Sequence, residues 1–431
     1  MENTGEYNSS NIHPLALLVL LILGICILVL KRDYTLIPIV VAVCFIPFAQ
    51  RLVIAGFDFT ILRFLVLFAW IRMILRNEFS GYKWHYLDIL LVLYIIIDGL
   101  IFFIAVPVTN ALVYKLGKAF DYIGLYFLFR IALKTKDDIK KAIWIFIILS
   151  IPVMIFFSVE KVTGVNMFSI FGGVPQFTLM REGTLRVQGA FSHPILAGTF
   201  WALVLPLVIP CIQDKTGIQR TIGYIGLFSI ILCIFLTASS TPLMVAFCTV
   251  VGMAMFYFRY KMKKVRLAIL AGYIGLDLIM VAPVYSLIAR IDLTGGSTGW
   301  HRYNLIHQAI LHFPQWAVLG MGTVSTETWG WGLWDVTCEY VAIGISGGAL
   351  TLIVYLLILI FAFREVGIAI NNSIDNSPDQ KFCWHFGIML LSHTIAFLVI
   401  SYFGQLMILF IFSIAAIAGF NNYRTKEQSN Q

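Results

Sequence analysis

Apolar residues gather in long blocks along this chain, and the short polar breaks between them carry nearly all the charge. A bilayer core of about 30 Å is crossed by roughly 20 predominantly apolar helical residues. Blocks of that kind recur at 14–30, 35–49, 57–75, 86–106, 110–131, 140–157, 194–212, 220–237, 241–258, 265–289, 338–363, 382–402 and 404–420. The pattern predicts an all-α, polytopic transmembrane bundle of 12 or 13 helices. The ambiguity lies in the weak second block and the tight break at Ser401 to Gln405. Pro14 to Leu30 follows a polar tail without Lys or Arg and lacks a small-residue cleavage pattern, so it reads as a retained first helix.

Composition narrows the class. Of 431 residues, 60% are apolar and 12% charged, so residues 1–431 form a single integral membrane domain with no room for a sizeable soluble one. The longest polar intervals, 158–193 and 290–337, are too short for a nucleotide-binding domain and contain no GxxxxGK[ST], which disfavours ATP-driven transport. The net charge of +8 is scattered in short clusters beside the apolar blocks, where it orients helices in the bilayer rather than binding nucleic acid. The seven cysteines include no CxxC, so they indicate neither a disulfide framework nor a zinc site.

Charge sets the expected topology. The basic clusters that follow odd-numbered blocks, counted with the residues at the edges of neighbouring blocks, hold 21 basic residues against seven on the other side, which makes the odd loops cytoplasmic. Both long intervals then lie on the outer face. Within the blocks sit Arg63, Asp88, Asp98, Lys118, Asp121 and Asp277, and Asp88 and Lys115 fall near block ends. Arg63, Asp98, Lys118 and Asp121 are the candidates for a polar interior, either as structural ion pairs or as a pathway.

The outer intervals carry the candidate chemistry. The first ends REGTLRVQGAFSHPILAG, placing Arg181 and Arg186 before His193 and Pro194 at the start of the seventh block. A helix N-terminus there, with its unpaired N–H groups, would make an anion site with Arg186, and phosphate is the obvious anion. The competing reading is a loop arginine paired with Glu182 or with lipid headgroups.

In the second interval, Ile306, Ala309, Ile310 and Phe313 recur at helical spacing, with His301, Asn304, Gln308 and His312 opposite them. This predicts an amphipathic helix on the outer face. Ser297 or Thr298 would cap it and Arg302 would stand in its first turn, giving a second anion-binding helix end, so that two such sites could grip a diphosphate. His301 and His312 lie about 16 Å apart along such a helix and His307 points elsewhere, so they cannot share a metal ion. With no HExxH or DxD in the chain, the expected chemistry needs neither metal nor cofactor.

Beyond that helix, Trp329, Trp331 and Trp334 surround Glu327, Asp335 and Glu339. Aromatic rings beside carboxylates suit a sugar, which needs stacking faces, hydrogen-bond acceptors and a general base. An interfacial aromatic belt would use the same tryptophans.

Three stretches, taken in order, resemble the O-antigen ligase and polymerase superfamily of bacterial membrane enzymes. RVQGAFSHPILAG is similar to the family's Arg-x-x-Gly-x-Phe-x-Asn-Pro-x-x-x-Ala element, with His193 where Asn is commoner. LTASSTPLMVAF resembles its Leu-Thr-x-Ser-Arg-Gly element, with Ser240 where Arg is usual. RYNLIHQAILHFPQWAVLGMG resembles its Arg-led helix ending in Pro and Gly-x-Gly, after which Gly344 to Gly347 would open the next helix. The likeness covers residues 140 to 365; the N-terminal third matches in hydropathy alone.

The resemblance implies a glycosyltransferase-C-like fold in the bacterial inner membrane, its large loops facing the periplasm or cell exterior. It implies an undecaprenyl-diphosphate-linked glycan as donor, and a second glycan or a lipid-anchored surface molecule as acceptor. Arg186 and Arg302, with Arg181, would hold the diphosphate; Trp329, Trp331, Trp334 and His193 would meet the glycan. Family ligases place a His before the helix that follows the large loop, and LWDVTCEY has none, so Glu339, Asp335 or His301 would serve as base. A polysaccharide or lipid-linked oligosaccharide transporter, with the interior charges lining its path, is the alternative.

Overall fold

The computed structural model describes residues 10–54, 56–290 and 299–428. The chain runs through α1 (Pro14–Val29), α2 (Leu36–Phe45), a hairpin of β1 (Arg51–Ile54) and β2 (Phe57–Thr60), α3 (Ile61–Leu75), α4 (Tyr86–Ala105), α5 (Thr109–Ala119), α6 (Leu125–Ala132) and α7 (Lys136–Thr163). A second hairpin, β3 (Leu179–Arg181) with β4 (Thr184–Arg186), leads to α8 (Pro194–Gln213), α9 (Gly217–Leu236), α10 (Ser240–Ala254) and α11 (Met262–Ile279). The remaining helices are α12 (Gly299–Leu311), α13 (Phe313–Trp316), α14 (Glu339–Asn372), α15 (Pro378–Ala396) and α16 (Gln405–Gln428).

Every one of the thirteen apolar blocks falls on helix. Among the described residues six helical spans, Tyr86–Ala105, Lys136–Thr163, Pro194–Gln213, Gly217–Leu236, Ser240–Ile279 (α10 and α11 taken together) and Glu339–Asn372, are long and apolar enough to cross a bilayer. The protein is therefore an all-α, multi-pass membrane bundle. The second block differs from expectation: ten residues rise only about 15 Å before Pro47 forces Ile46 into extended backbone. The third begins late, because Phe57–Thr60 pairs antiparallel with Arg51–Ile54 and Thr60 then caps α3 by accepting from the Arg63 amide at 3.3 Å. α15 and α16 are separate helices, divided at the predicted break.

The loops that charge assigns to one face meet at one end of the bundle. Lys141 lies 2.6 Å from Asp33, Arg32 3.9 Å from Asp138 and Arg259 2.5 Å from Asp375, while Lys140 pairs with Asp214 and Lys136 with Asp379. Several of these basic residues also cap helices: Arg72 donates to the carbonyls of Ile27 and Leu30 at the end of α1, at 2.6 and 2.5 Å. At the opposite end His13 donates its amide to Gln50 at 2.7 Å, and Gln405 donates to the Ala190 carbonyl at 3.3 Å. The side chains of Arg424 and Lys426, counted with the basic end, lie outside the described residues.

α8 is buried along almost its whole length, packed among α7, α9, α10, α15 and α16, so its outer end fixes the place of the neighbouring loop ends. α14 is interrupted. The Gly344 to Gly347 segment does not open this helix, which starts at Glu339; instead Gly347 (φ −134°) and Gly348 (φ +72°) break it internally. The turn after α13 fills the gap, with the Met321 amide donating to Ile345 O at 2.6 Å and the Ala349 amide donating to Ala317 O at 2.8 Å. Backbone groups freed by the break are thus satisfied inside the protein, as an apolar surround demands.

Candidate active site

Two arginines distant in sequence meet at the start of α10. Arg186, the last residue of β4, is 8% exposed and donates through Nη2 to Ser239 Oγ at 2.6 Å. Arg302, on the buried stripe of α12 with Leu305 and Ala309, donates through Nη2 to Thr241 Oγ1 at 3.4 Å and through Nε to Val399 O at 3.0 Å. Ser239 is the N-cap residue of α10, yet its side chain bonds no amide of the helix; it donates to Thr237 O at 3.1 Å and accepts from Arg186. The first turn of α10 therefore keeps its partial positive charge beside two guanidinium groups.

This differs from the two-helix site expected from sequence. The N-terminus of α8 is closed by His193, whose Nδ1 accepts from the Ile195 amide at 3.2 Å. Ser297 and Thr298, the expected caps of α12, lie outside the described residues. Among the described residues the two arginines are brought to the start of α10. The face of α12 also differs, since Ile310 and Phe313 are exposed while Arg302 is turned inward.

The surrounding field is positive. Burial pushes the Arg186 guanidinium below its ordinary pKa and Arg181 adds to the shift. Arg302 is lowered by burial and by Arg181, with Asp335 acting against them. The His193 imidazole is pushed down to about 4, first by burial and then by Arg186 and Arg181. Arg181 thus acts on Arg186, Arg302 and His193 alike, and among the described ion pairs none involves these arginines. Arg186 Nε is buried without a partner. Glu182, the other expected partner of Arg186, instead forms the β3–β4 turn with Gly183, both at positive φ. Beside Arg302 a small cleft is lined by Ser240, Thr241, Met244, Ile288 and Val399, apolar except at the α10 end.

The three candidate bases separate. Asp335 is exposed, its backbone carbonyl lies 2.9 Å from His301 Nε2 on α12, and its charge acts on Arg302. Glu339 is buried behind the segment joining α15 to α16, accepting from the Tyr402 amide at 2.7 Å while its own amide donates to Phe397 O at 2.8 Å. The tryptophans also divide. Trp329 is buried, stacked on His312 with centroids 5.3 Å apart and donating to Gln315 at 2.9 Å, so its faces are spent on packing. Trp331 is 95% exposed and Trp334 67% exposed.

The interior charges pair with one another. Arg63 forks onto Asp121 at 2.7 and 2.6 Å. Asp98 accepts from Lys115 at 2.8 Å, Lys118 at 3.0 Å and Ser346 at 3.1 Å, beside the break in α14. Lys115 is thus part of the buried cluster rather than a block-end residue.

Ser239, Thr241, Val399 and Glu160 carry no evident role in the sequence alone. The signal for the first two lay in LTASSTPLMVAF, one of the three stretches quoted above, whose polar run TASST interrupts an apolar block. No family model matches this chain, and no curated protein matches it.

Proposed function

We propose that the protein is a metal-independent glycosyltransferase of the membrane, acting on a lipid-diphosphate-linked glycan in the manner of O-antigen polymerases and ligases. The observation that carries the reading is the convergence of Arg186 and Arg302 on the uncapped start of α10. Buried guanidinium groups with no ion-paired carboxylate among the described residues, at a helix N-terminus, suit an anion with several oxygens. The apolar walls beside Arg302 suit an isoprenoid attached to that anion.

In this reading the acceptor hydroxyl oxygen attacks the anomeric carbon and the bond from that carbon to the phosphate oxygen breaks. The lipid diphosphate leaves with the electron pair, and the hydroxyl proton passes to a base. Charge grows on the leaving diphosphate, so preorganised cations lower the barrier. Asp335 is the favoured base because it is exposed, its charge acts on Arg302 and its backbone meets His301; exposed Trp331 and Trp334 would offer faces to the glycan. The chain would lie in the bacterial inner membrane in a glycosyltransferase-C-like arrangement, with the arginine end outward, using an undecaprenyl-diphosphate donor and a second glycan or a lipid-anchored acceptor among the membrane lipids.

Transport of the same lipid-linked glycan is the second reading, favoured by the interruption of α14 beside Asp98, Lys115 and Lys118. Mass spectrometry of lipid-linked and surface glycans in a deletion strain separates the two. Polymerisation predicts single repeat units accumulating on the carrier, restored to long chains by wild type but not by Arg302→Ala. Long chains stranded on the carrier mean a ligase. Unchanged chain length and attachment, or a repeat unit trapped on the cytoplasmic leaflet, overturns glycosyl transfer.

A further inference from the structure

Glu160, in the last turn of α7, is completely buried and has no cationic partner among the described ion pairs. Its Oε1 accepts from the Gln188 amide and its Oε2 from the Gly189 amide, each at 3.0 Å, and the Thr178 hydroxyl donates to Oε1 at 3.3 Å. Burying a carboxylate without a countercharge is costly unless hydrogen bonds replace its water. Here the replacement is a pair of consecutive backbone amides, two and three residues beyond Arg186.

Neighbouring residues hold the same loop. Lys161 donates to Leu185 O at 2.5 Å, and Asn166 Nδ2 donates to Gly189 O at 2.8 Å. Gly189 has φ +57° and presses on the Phe157 ring, an approach that no side chain would allow. Phe157, Glu160 and Lys161 stand at i, i+3 and i+4, so one face of the end of α7 is given over to this loop. The carboxylate is specifically required: each oxygen meets an N–H, whereas a glutamine would turn its own NH₂ toward one of them.

We propose that Glu160 is the positioning residue of the Arg186 loop, a buried clamp that holds the guanidinium against Ser239 where the diphosphate would bind. The role of Arg186 in this statement rests on the functional reading above; the clamp itself does not. Full-length protein in lipid nanodiscs is treated with trypsin, and cleavage after Arg186 is followed by mass spectrometry beside the thermal midpoint, with inorganic diphosphate as the binding probe. Wild type is expected to resist cleavage at Arg186, while Glu160→Gln is cut there about tenfold faster or more, the scale of losing a charge-assisted hydrogen bond. Diphosphate affinity is expected to fall by a similar factor with the midpoint near that of wild type. Should Glu160→Gln fold poorly, Asn166→Ala, which loosens the same loop from the other side, is expected to show the same two changes. A loop that stays resistant in the variant that folds, or one that is released without weakening diphosphate where wild type binds it, overturns the assignment. If wild type binds no diphosphate, the donor reading and with it the positioning of Arg186 for a donor fall, while the cleavage result still decides whether Glu160 clamps the loop.

Discussion

Arg302 donates its Nε–H to the carbonyl of Val399, 3.0 Å away in the short segment joining α15 to α16. A guanidinium on an outer helix is thereby fixed to the end of the bundle, with Nη2 reaching Thr241. Lysine can reproduce the charge but not this two-point geometry. Arg302→Lys is expected to weaken inorganic diphosphate binding almost as much as Arg302→Ala, by about tenfold or more. Titration of the purified protein checks it; retention of affinity in the lysine variant would mean that charge alone matters.

Trp329, Trp331 and Trp334 look alike in sequence and differ in the fold. Truncating buried Trp329 removes its stacking on His312 and its bond to Gln315, and Trp329→Ala is expected to destabilise by about 3–5 kcal/mol. Trp331→Ala and Trp334→Ala are expected to leave the thermal midpoint unchanged and to reduce glycan chain extension. Thermal scans beside glycan profiles of the three variants test this; wild-type profiles for both exposed positions would remove tryptophan from the glycan site.

Hydropathy made the helices legible because each apolar block is a local property, and the charge bias made their alternation legible for the same reason. What it could not reveal are pairings across distance. The Glu160 carboxylate meets the Gln188 and Gly189 amides, and a single Glu near the end of an apolar block carries no mark of that partner. The site at α10 was split in expectation between α8 and α12, because Pro194 and Arg302 looked like helix starts taken singly. Only packing shows that His193 already occupies the α8 cap and that both arginines turn to Ser239 and Thr241. Gly344 to Gly347 reads in sequence as a turn that opens a helix, whereas the chain turns inside α14, at Gly347 and Gly348, since such glycines are as compatible with close packing as with a turn.

Gly348 gives that break a sharp test. Its φ is +72°, and a Cβ there would stand 2.6 Å from Val318 O and 3.0 Å from Ala317 O. Gly348→Ala is expected to lower the thermal midpoint strongly, combining left-handed backbone cost with a backbone clash. Gly367→Ala, in the same helix with nothing within 4 Å, is the matched control and is expected to be neutral or stabilising.

His193 makes stability depend on pH. Its pKa is 6.5 when unperturbed and about 4 here, lowered by burial and then by Arg186 and Arg181. Between these values the unfolded chain binds a proton that the folded chain does not, so stability rises with pH through this window. The contribution of the neutral imidazole is full above pH 6.5 and is lost as pH falls toward 4. Protonation at Nδ1 would also end its acceptance from the Ile195 amide. His193→Asn keeps an N-cap acceptor without titrating. The expected result is a midpoint near wild type at neutral pH with a flatter profile between pH 4 and 6.5; parallel profiles for the two proteins would assign the dependence elsewhere.

Asp98 decides what the buried charges are for. It is shared by Lys115 and Lys118 at 2.8 and 3.0 Å, and Ser346 ties the cluster to the interrupted part of α14. Removing the carboxylate alone leaves two ammonium groups buried together, and Asp98→Ala is expected to cost about 3–5 kcal/mol of stability. If the cluster is structural, Asp98→Asn combined with Lys118→Met removes one charge of each sign and should recover much of that loss, together with glycan chain length. If the charges line a transport path, the double variant should fold like wild type while the repeat unit stays on the cytoplasmic leaflet. Stability and leaflet distribution measured on the same variant therefore separate the two readings, because a structural pair can be replaced by a neutral one and a pathway cannot.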